Sequence, residues 1–213
     1  LMDEVITAFA AFGALVRWLT AMRVDIVESL GRFRPPLPES GGDDGVSAEA
    51  PERYYAVNLF VDHADDDHPS VVLEANPTYE NIFGRMEYRQ LDGVLETDFT
   101  LIRSGSIHRA NGGVLVLRAD AIARNAVVWE ALKGALRDRE VALEELERPG
   151  ALPVAGAPRA KPVPLEVKVV IVGAPHWYYT FFSADPEFQS YFKVKADIDA
   201  EMDATPENIA CYT

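Results

Sequence analysis

Two short apolar segments limit the folds that this chain can adopt. Residues 114–117 (VLVL) are the most strand-like stretch of the sequence, and the glycine pair Gly112-Gly113 leads into them. Residues 167–172 (VKVVIV) form a second such segment, which Gly173 ends. A segment with helical spacing, 125–140, separates the two. Strands that alternate with helices predict an α/β fold with a mostly parallel central sheet.

The first thirty residues carry a helical pattern. Apolar residues recur there every three or four positions and share one stripe: Val5, Phe9, Phe12, Val16, Leu19, Met22, Ile26 and Leu30. This spacing predicts one long helix, which Gly31 ends and Pro35-Pro36 prevent from continuing. Segment 35–53 is polar and rich in proline and glycine, so it is predicted to be a flexible linker.

Further elements follow from local patterns. Strands are predicted at 54–62 (YYAVNLFVD), 70–75 (SVVLEA) and 193–198 (KVKADI), and helical turns at 78–86, opened by Thr78, and at 185–192. In the helix predicted at 125–140, one face is expected to hold four apolar residues: Val127, Ala131, Leu132 and Leu136.

Charge and cysteine content exclude some classes of function. The chain has 34 acidic and 20 basic residues, a net charge of -14, which argues against a nucleic-acid partner because phosphate backbones require a basic face. The single cysteine, Cys211, fits a reducing compartment and therefore a cytoplasmic location, and we expect it to be a buried structural thiol. No segment resembles a signal peptide or a membrane span, so we expect no membrane partner.

Four motifs, in this order, carry a family resemblance. They are NIFGRMEYRQLDGVLETDFTLIRSGSIHRANGGVLVL (81–117), VVWEALKGALRDREVALEE (127–145), PVPLEVKVVIVGAPHWYY (162–179) and DPEFQSYFKVKADI (185–198). Together they resemble the AAA+-type module of Lon-like proteases, and in particular the group in which that module carries a long helical insertion and precedes a Ser-Lys protease domain. The resemblance covers residues 54–208 and extends more loosely to the first helix.

The resemblance implies a fold and a division into domains. The fold would be an AAA+-like three-layer sandwich with a mostly parallel central sheet, preceded by a long helix from the helical insertion. Residues 1–34 would end that insertion, 35–53 would be the linker, 54–200 the AAA+-like core, and 201–213 the start of a C-terminal helical lid. Because the chain begins inside one helical pattern and stops as another begins, we expect it to be a piece of a longer protein.

The resemblance also marks where an ATPase site would stand. The strand at 113–117 would be the Walker B strand, so Arg118 and Ala119 occupy the positions of the Mg²⁺-organising Asp and the water-activating Glu. Asp120 could replace them only if the strand continued past Leu117. Ala174 lies at the usual polar sensor 1, and no arginine finger stands at 189–191. No GxxxxGK[ST] motif occurs in the sequence. We therefore expect no cofactor to bind here, with ATP and Mg²⁺ left to the parent protein.

The resemblance also implies a second site, a loop that faces the central pore of a ring. Tyr88, Leu91 and Val94, set among polar residues, would grip an unfolded chain without reading its sequence. The alternative, that Tyr88 packs on the sheet, is equally favoured. No serine has the glycine-rich surroundings of a Lon nucleophile, so no catalytic residue is predicted in this chain.

Three other features have a structural interpretation that we favour over a catalytic one. The run DHADDDH (62–68) contains metal-ligand residue types, but a solvated acidic loop explains it better. His108 is expected to fix the turn before Gly112 by a hydrogen bond. Arg118, if recruited for structure, would be a buried or half-buried arginine paired with Asp120 or Glu130.

The function that these inferences predict is a degenerate AAA+-like module of a Lon-like protease, without metal. It would assemble into a ring, a hexamer in the full-length protein, and deliver unfolded or damaged polypeptides to a Ser-Lys domain outside this chain. Two alternatives stay open. One is a functional ATPase half completed by an upstream P-loop, and the other is a non-enzymatic interaction module.

Overall fold

The computed structural model describes residues 2–33, 54–64, 66–91, 94–143, 160–199, 201 and 203–211. The predicted linker, 35–53, lies outside this part of the chain. Contacts divide the protein into two compact units, Leu1–Val57 and Asn58–Thr213. No helix of the described part is long and apolar enough to cross a membrane.

The first unit contains two helices where the sequence pattern predicted one. Helix α1 spans Met2–Ala8, helix α2 spans Gly13–Glu28, and a 3₁₀ turn follows at Leu30–Phe33. Nη1 of Arg23 lies 2.5 Å from Oδ1 of Asp3. Twenty residues of continuous helix would separate these side chains by about 30 Å. The prediction of one long helix is therefore wrong, because the chain reverses between α1 and α2.

The break has a local cause that the apolar spacing does not show. The hydroxyl of Thr7 bonds back to the Asp3 carbonyl, a contact that favours bending, and the Phe12 amide donates to the Phe9 carbonyl in a tight turn. Gly13, a poor helix former, then begins α2. Phe12 stays 64% exposed, and of α2 only Leu19 is buried.

The second unit holds the remaining elements. Its strands are β1 (Val71–Glu74), β2 (Arg85–Met86), β3 (Arg89–Leu91), β4 (Val94–Glu96), β5 (Ile102–Arg103), β6 (Val114–Arg118), β7 (Glu140–Val141), β8 (Val163–Pro164) and β9 (Lys168–Val172). Its helices are α3 (Tyr79–Phe83), α4 (Ser106–Arg109), α5 (Ala119–Ile122), α6 (Ala126–Asp138), α7 (Pro175–Ala184), α8 (Phe188–Tyr191) and α9 (Pro206–Cys211), with a 3₁₀ turn at Phe99–Leu101.

The central sheet has the order β1-β6-β9, with both pairs parallel, which confirms the predicted α/β fold. Antiparallel pairs β2-β5, β3-β4 and β7-β8 lie outside it. Chain order and spatial order agree, so both crossovers move in the same direction across the sheet. Because parallel crossovers are right-handed, both place their helices on the same face.

One hydrophobic core forms on that face. Leu115 and Leu117 of β6 are fully buried and belong to the same cluster as Ile107 of α4, Ile122 of α5 and Leu132 of α6. Val72 and Ile171 on the neighbouring strands pack against this cluster. The apolar segment 114–117, from which the fold was predicted, is thus the centre of the core.

Helix α6 presents a face slightly different from the predicted one. Leu132 is buried as expected, but Val127 is 57% exposed, and the buried side chains include Val128, Trp129 and Lys133. The prediction counted only apolar residues, so it did not include Lys133 in the buried face. The predicted face is therefore rotated about the helix axis relative to the observed one. Asn125 caps this helix by accepting from the Val128 amide.

Two predicted strands are absent from the structure. Residues 56–63 are irregular, and Asn58 of this segment donates to the carbonyls of Phe99 and Ile102 at 2.9 and 3.0 Å. Residues 192–199 are also irregular, with Val194 and Ile198 88% and 92% exposed. Both segments alternate as strands do, but neither has a pairing partner within the described residues.

Helix α7 and the exposure of Cys211 also differ from expectation. The aromatic run of α7 was not predicted as helical; Pro175 at its first turn starts it, a position that proline favours. Cys211 ends the short helix α9 and is exposed, so the prediction of a buried thiol is wrong.

Candidate functional site

The carboxyl ends of the three parallel strands form the candidate site. Strand β6 ends at Arg118, whose Cα partner on β9 is Val172, and β1 ends at Glu74. The carboxylate of Glu74 accepts from the Asn76 amide at 2.9 Å and so fixes the turn after β1. Helix α5 begins directly at Ala119, so β6 does not continue far enough to carry Asp120 as a strand residue.

Arg118 and Asp120 form a two-point ion pair. Nε of Arg118 lies 3.1 Å from Oδ1 of Asp120, and Nη2 lies 3.0 Å from Oδ2. A second guanidinium, that of Arg124, lies 3.7 Å from the same Oδ2. Arg118 is 58% exposed at its side chain and Asp120 26%, so the expected buried or half-buried arginine is in fact an exposed one. The carboxylate of Asp120 at the end of β6 is therefore held between two cations.

Ala119 and the turn after β9 pack closely together. Ala119 is 2% exposed. A Cβ placed on Gly173 would lie only 2.6 Å from the Cβ of Ala119. Ala174 follows as the N-cap of α7, extended and without a side-chain hydrogen bond. Neither alanine has a side-chain atom that could bind a metal, orient water or sense a phosphate. The contact fills the space beside the end of β9 with methyl and backbone groups.

The topology of the described sheet offers no crevice at this edge. In open α/β sheets, ligands bind where the strand order reverses and the crossovers change face. The described strands run β1, β6, β9 without such a reversal. Within this part of the chain, the residues at the carboxyl edge form a surface and do not line a nucleotide pocket.

A polar cluster that the sequence analysis missed lies between α6 and α8. Nζ of Lys133 lies 2.9 Å from Asp185, 3.0 Å from Glu130 and 3.2 Å from Glu187, while its side chain is only 4% exposed. The indole Nε1 of Trp129 donates to Asp185 at 2.6 Å. The sequence shows two acids in "DPE" (185–187) and a lysine on an apolar helix face, but Asp185 and Glu187 lie more than fifty residues from Lys133.

The charged side chains of this cluster stabilise one another. Burial disfavours the ammonium group, but hydrogen bonds to Asp185, Glu130 and Glu187 outweigh it and raise the pKa of Lys133. Burial also opposes the charge on Asp185, yet hydrogen bonds from Lys133 and Trp129 lower the pKa of that carboxyl below its ordinary value. A lysine held in its charged form by three carboxylates is a poor base, and its contacts join α6 to the segment that leads into α8.

The segment without an arginine finger, 189–191, belongs to α8. Gln189 and Ser190 are exposed, and the Tyr191 hydroxyl accepts from Nε of Arg137 at 3.3 Å. Arg137 itself lies 3.7 Å from Glu187 and is thus directed toward the Lys133 cluster. Arg137 is thus a cation beside this segment, and it belongs to α6.

The three candidate pore-loop residues lie in or beside a β-hairpin. Strands β3 and β4 pair antiparallel with Leu91 opposite Val94, so the hairpin has a two-residue connection. Arg89 at its base pairs with Asp98 at 2.5 Å. Tyr88, just before β3, is half-buried. The side chains of Leu91 and Val94 lie outside the described part of the structure.

His108 is held by a hydrogen bond, as predicted, but this bond lies at the start of α4 and not at the turn before Gly112. It is 4% exposed, its Nδ1 accepts from the Gly105 amide at 3.3 Å, and its ring meets Phe60 edge-on at 4.7 Å. Burial lowers the pKa of this imidazole to about 4, so it is neutral at physiological pH. In the acidic run, His63 pairs with Asp66 at 2.7 Å, and both are exposed. The described residues contain no group of three His, Cys, Asp or Glu side chains that could hold a metal ion.

Comparison with known proteins identifies the family. Residues 67–199 match the family described as the LonB-like AAA domain. No curated protein matches the chain at a significant level. The family match covers more than half of the 213 residues and spans the parallel sheet together with helices α3 to α8. The chain therefore belongs to the LonB-like AAA domain family.

Proposed function

We propose that this chain is a degenerate AAA+-like module of a Lon-like serine protease. In this proposal it assembles into a ring, a hexamer in the full-length protein, and passes unfolded polypeptide to a Ser-Lys peptidase domain outside the chain. It does so in the cytoplasm and hydrolyses little or no ATP. The family match supports the module, and the geometry at the end of β6 supports its degeneracy.

The Arg118–Asp120 pair is the observation that carries the proposal. Phosphoryl transfer requires a metal that neutralises developing charge and a group that orients the attacking water. A guanidinium at the end of β6 repels Mg²⁺, and it occupies both oxygens of Asp120. Ala119 and Ala174 have no polar side-chain atom with which to position water. The module then contributes shape and contacts instead of chemistry.

The hairpin of β3 and β4 supports the role in substrate delivery. The hairpin is short, and the Arg89–Asp98 pair holds its base. Tyr88 is only half-buried, so part of its ring is available to an unfolded segment. Aromatic rings bind apolar stretches of many sequences because their contact area is large and not directional.

Calorimetric titration with MgATP tests the degeneracy. We expect no saturable heat for the native chain and none for Arg118→Asp, because Ala119 and Ala174 remain. Arg124→Asp is the matched control, since it makes the same change of charge near Asp120 but away from the end of β6. Magnesium-dependent binding by the native chain, or its gain in Arg118→Asp alone, would contradict the proposal and favour a functional ATPase half.

Site-specific photocrosslinking tests the delivery role. A photoreactive phenylalanine analogue at Tyr88 should crosslink to unfolded casein, whereas the same analogue at Tyr179 should not. Tyr179 is the matched control because it is an aromatic residue on α7 that is 60% exposed. Equal crosslinking at both positions would show that the hairpin has no special role.

A further inference from the structure

Asn111 and Gly112 form the only Asn-Gly pair in the sequence, at the turn that leads into β6. Such a pair can lose ammonia without an enzyme. The main-chain nitrogen of the glycine attacks Cγ of the asparagine, the Cγ–Nδ2 bond breaks, and the amide proton leaves with the nitrogen as ammonia. Water then opens the resulting succinimide ring at either carbonyl, which gives aspartate or isoaspartate. Glycine favours the ring closure because it has no Cβ to hinder it.

Both reacting groups are held by one neighbouring segment, 164–166. Nδ2 of Asn111 donates to the Pro164 carbonyl at 2.9 Å, and Oδ1 accepts from the Glu166 amide at 2.8 Å. The amide of Gly112, which supplies the attacking nitrogen, donates to the Glu166 carbonyl at 2.8 Å. The carboxamide is therefore not free to turn toward that nitrogen, and the nitrogen does not readily give up its proton. The pair is thus protected while the segment stays in place, although Gly112 is exposed to water.

Short elements attach segment 164–166 to the rest of the unit. Strand β8 has two residues and pairs with the two residues of β7. The Leu165 amide donates to the Arg139 carbonyl at 2.8 Å, and the Leu165 side chain, 5% exposed, packs in the core. Short pairs of this kind open locally at a lower cost than the whole domain. Detachment of the segment breaks all three bonds to Asn111 and Gly112 at once and frees the pair to react.

We propose that Asn111 is a deamidation site controlled by the fold: it reacts when segment 164–166 detaches, and the product prevents the segment from binding again. An aspartate at position 111 places a carboxylate oxygen where Nδ2 donated to the Pro164 carbonyl, so two acceptors face each other. An isoaspartate adds a methylene to the main chain just before Gly113, where even a Cβ would clash with the Ser70 carbonyl. The reaction thus marks chains in which the segment has opened. The inference rests on this turn and not on the proposed function.

Peptide mapping by mass spectrometry tests the proposal on the native chain. The protein is incubated at neutral pH, folded in buffer and unfolded in guanidinium chloride, and aspartate and isoaspartate at position 111 are quantified over time. In the unfolded chain we expect Asn111 to react about tenfold faster than Asn125, which alanine follows. In the folded protein we expect Asn111 to react at least about tenfold slower than in the unfolded chain. Equal rates in the folded and unfolded chain, or no preference for Asn111 over Asn125, would overturn the proposal.

Hydrogen exchange shows whether deamidation passes through the opening of this segment. Leu165→Ala removes the apolar anchor of segment 164–166. It should accelerate amide exchange at Gly112 and deamidation at Asn111 by the same factor, about tenfold. Leu19→Ala is the matched control, since Leu19 is buried to a similar extent in the first unit, and it should change neither rate. Faster exchange with unchanged deamidation in Leu165→Ala, or an equal acceleration in both variants, would overturn the proposal.

A pair of substitutions that imitates the product gives a test that does not require Leu165→Ala to fold. Asn111→Asp keeps the acceptor but loses the donor to Pro164, so it should lower the melting temperature by several degrees. Asn125→Asp is the control, because the Asn125 side chain accepts from the Val128 amide and an aspartate can do the same. It should leave the melting temperature nearly unchanged. Equal melting temperatures of the two variants would show that segment 164–166 binds the product as well, and would overturn the proposal.

Discussion

The guanidinium of Arg118 contacts both carboxylate oxygens of Asp120, two residues later, at 3.1 and 3.0 Å. The contact is possible because β6 ends at Arg118 and α5 begins at Ala119. The first turn of that helix brings Asp120 back toward the end of the strand. The pair is thus a product of the strand-to-helix transition, and it is exposed at the surface.

Exposure of this pair predicts a small energetic cost for its removal. Arg118→Ala should lower the free energy of unfolding by less than about 1 kcal/mol, because solvent screens exposed ion pairs and ordering the side chains offsets part of the gain. Urea denaturation of the variant beside Arg124→Ala measures the effect. A loss of 3 kcal/mol or more would mean that Arg118 acts as a buried arginine.

Lys133 should behave in the opposite way. Lys133→Met removes the cation from a nearly buried cluster and leaves the carboxylate of Asp185, 12% exposed, without a cationic partner. The expected loss is about 3 kcal/mol, because an uncompensated buried charge costs more than the pair contributes. Lys193→Met, an exposed lysine, is the control and should be nearly neutral.

The double variant separates charge from packing at the same site. If the cost arises from the carboxylate left behind, then Lys133→Met with Asp185→Asn should recover part of the stability lost in Lys133→Met. Thermal melts of the four proteins give the coupling. No recovery would assign the loss to the side-chain volume of Lys133 instead of its charge.

His108 predicts a dependence of stability on pH. Burial lowers its pKa to about 4 from an ordinary value of 6.5, so between these values the unfolded chain binds more protons than the folded one. Stability is therefore fully present above pH 6.5 and falls as the pH drops toward 4, by at most about 3 kcal/mol from this group. The range from pH 6.5 to 5 is the most informative, since Asp and Glu titrate mainly below it.

Denaturation at several pH values measures this slope. His108→Gln should flatten it between pH 6.5 and 5, whereas His68→Gln, an exposed histidine, should leave it unchanged. An unchanged slope in His108→Gln would show that another group accounts for the dependence.

Local patterns in the sequence predicted the core of the fold well. The strands at β1, β6 and β9 are marked by apolar residues that they bury on one face, and Thr78 caps α3 as its position before "YENIF" indicated. The errors have a common cause. Segments 56–63 and 193–198 alternate like strands, but a strand needs a partner, which a local pattern does not reveal.

The candidate site was harder to predict for the same reason. Sequence position placed Arg118 and Ala119 at the end of the strand, but whether Asp120 continued it depended on where α5 began. The Lys133 cluster joins residues about fifty positions apart, and only the folded chain brings them together. The sequence shows which residue occupies each position, but it does not show which distant residues are in contact.

The close contact between Gly173 and Ala119 yields a last prediction about the carboxyl edge. A Cβ on Gly173 would lie 2.6 Å from the Cβ of Ala119 and 3.3 Å from Cδ1 of Trp177, so α5 or the turn after β9 must shift. Gly173→Ala should therefore cost about 1–3 kcal/mol, as overpacking does. Gly134→Ala is the matched control, because a Cβ there meets nothing within 4 Å and alanine favours the interior of α6.

The two glycine variants should move stability in opposite directions. Gly134→Ala is expected to raise the free energy of unfolding by about 0.5–1 kcal/mol through helix propensity, while Gly173→Ala lowers it. Chemical denaturation of both variants under the same conditions measures the two changes in the free energy of unfolding. If Gly173→Ala were as stable as the native chain, the end of β9 would not be packed against α5, and the proposed degeneracy of the site would lose one of its supports.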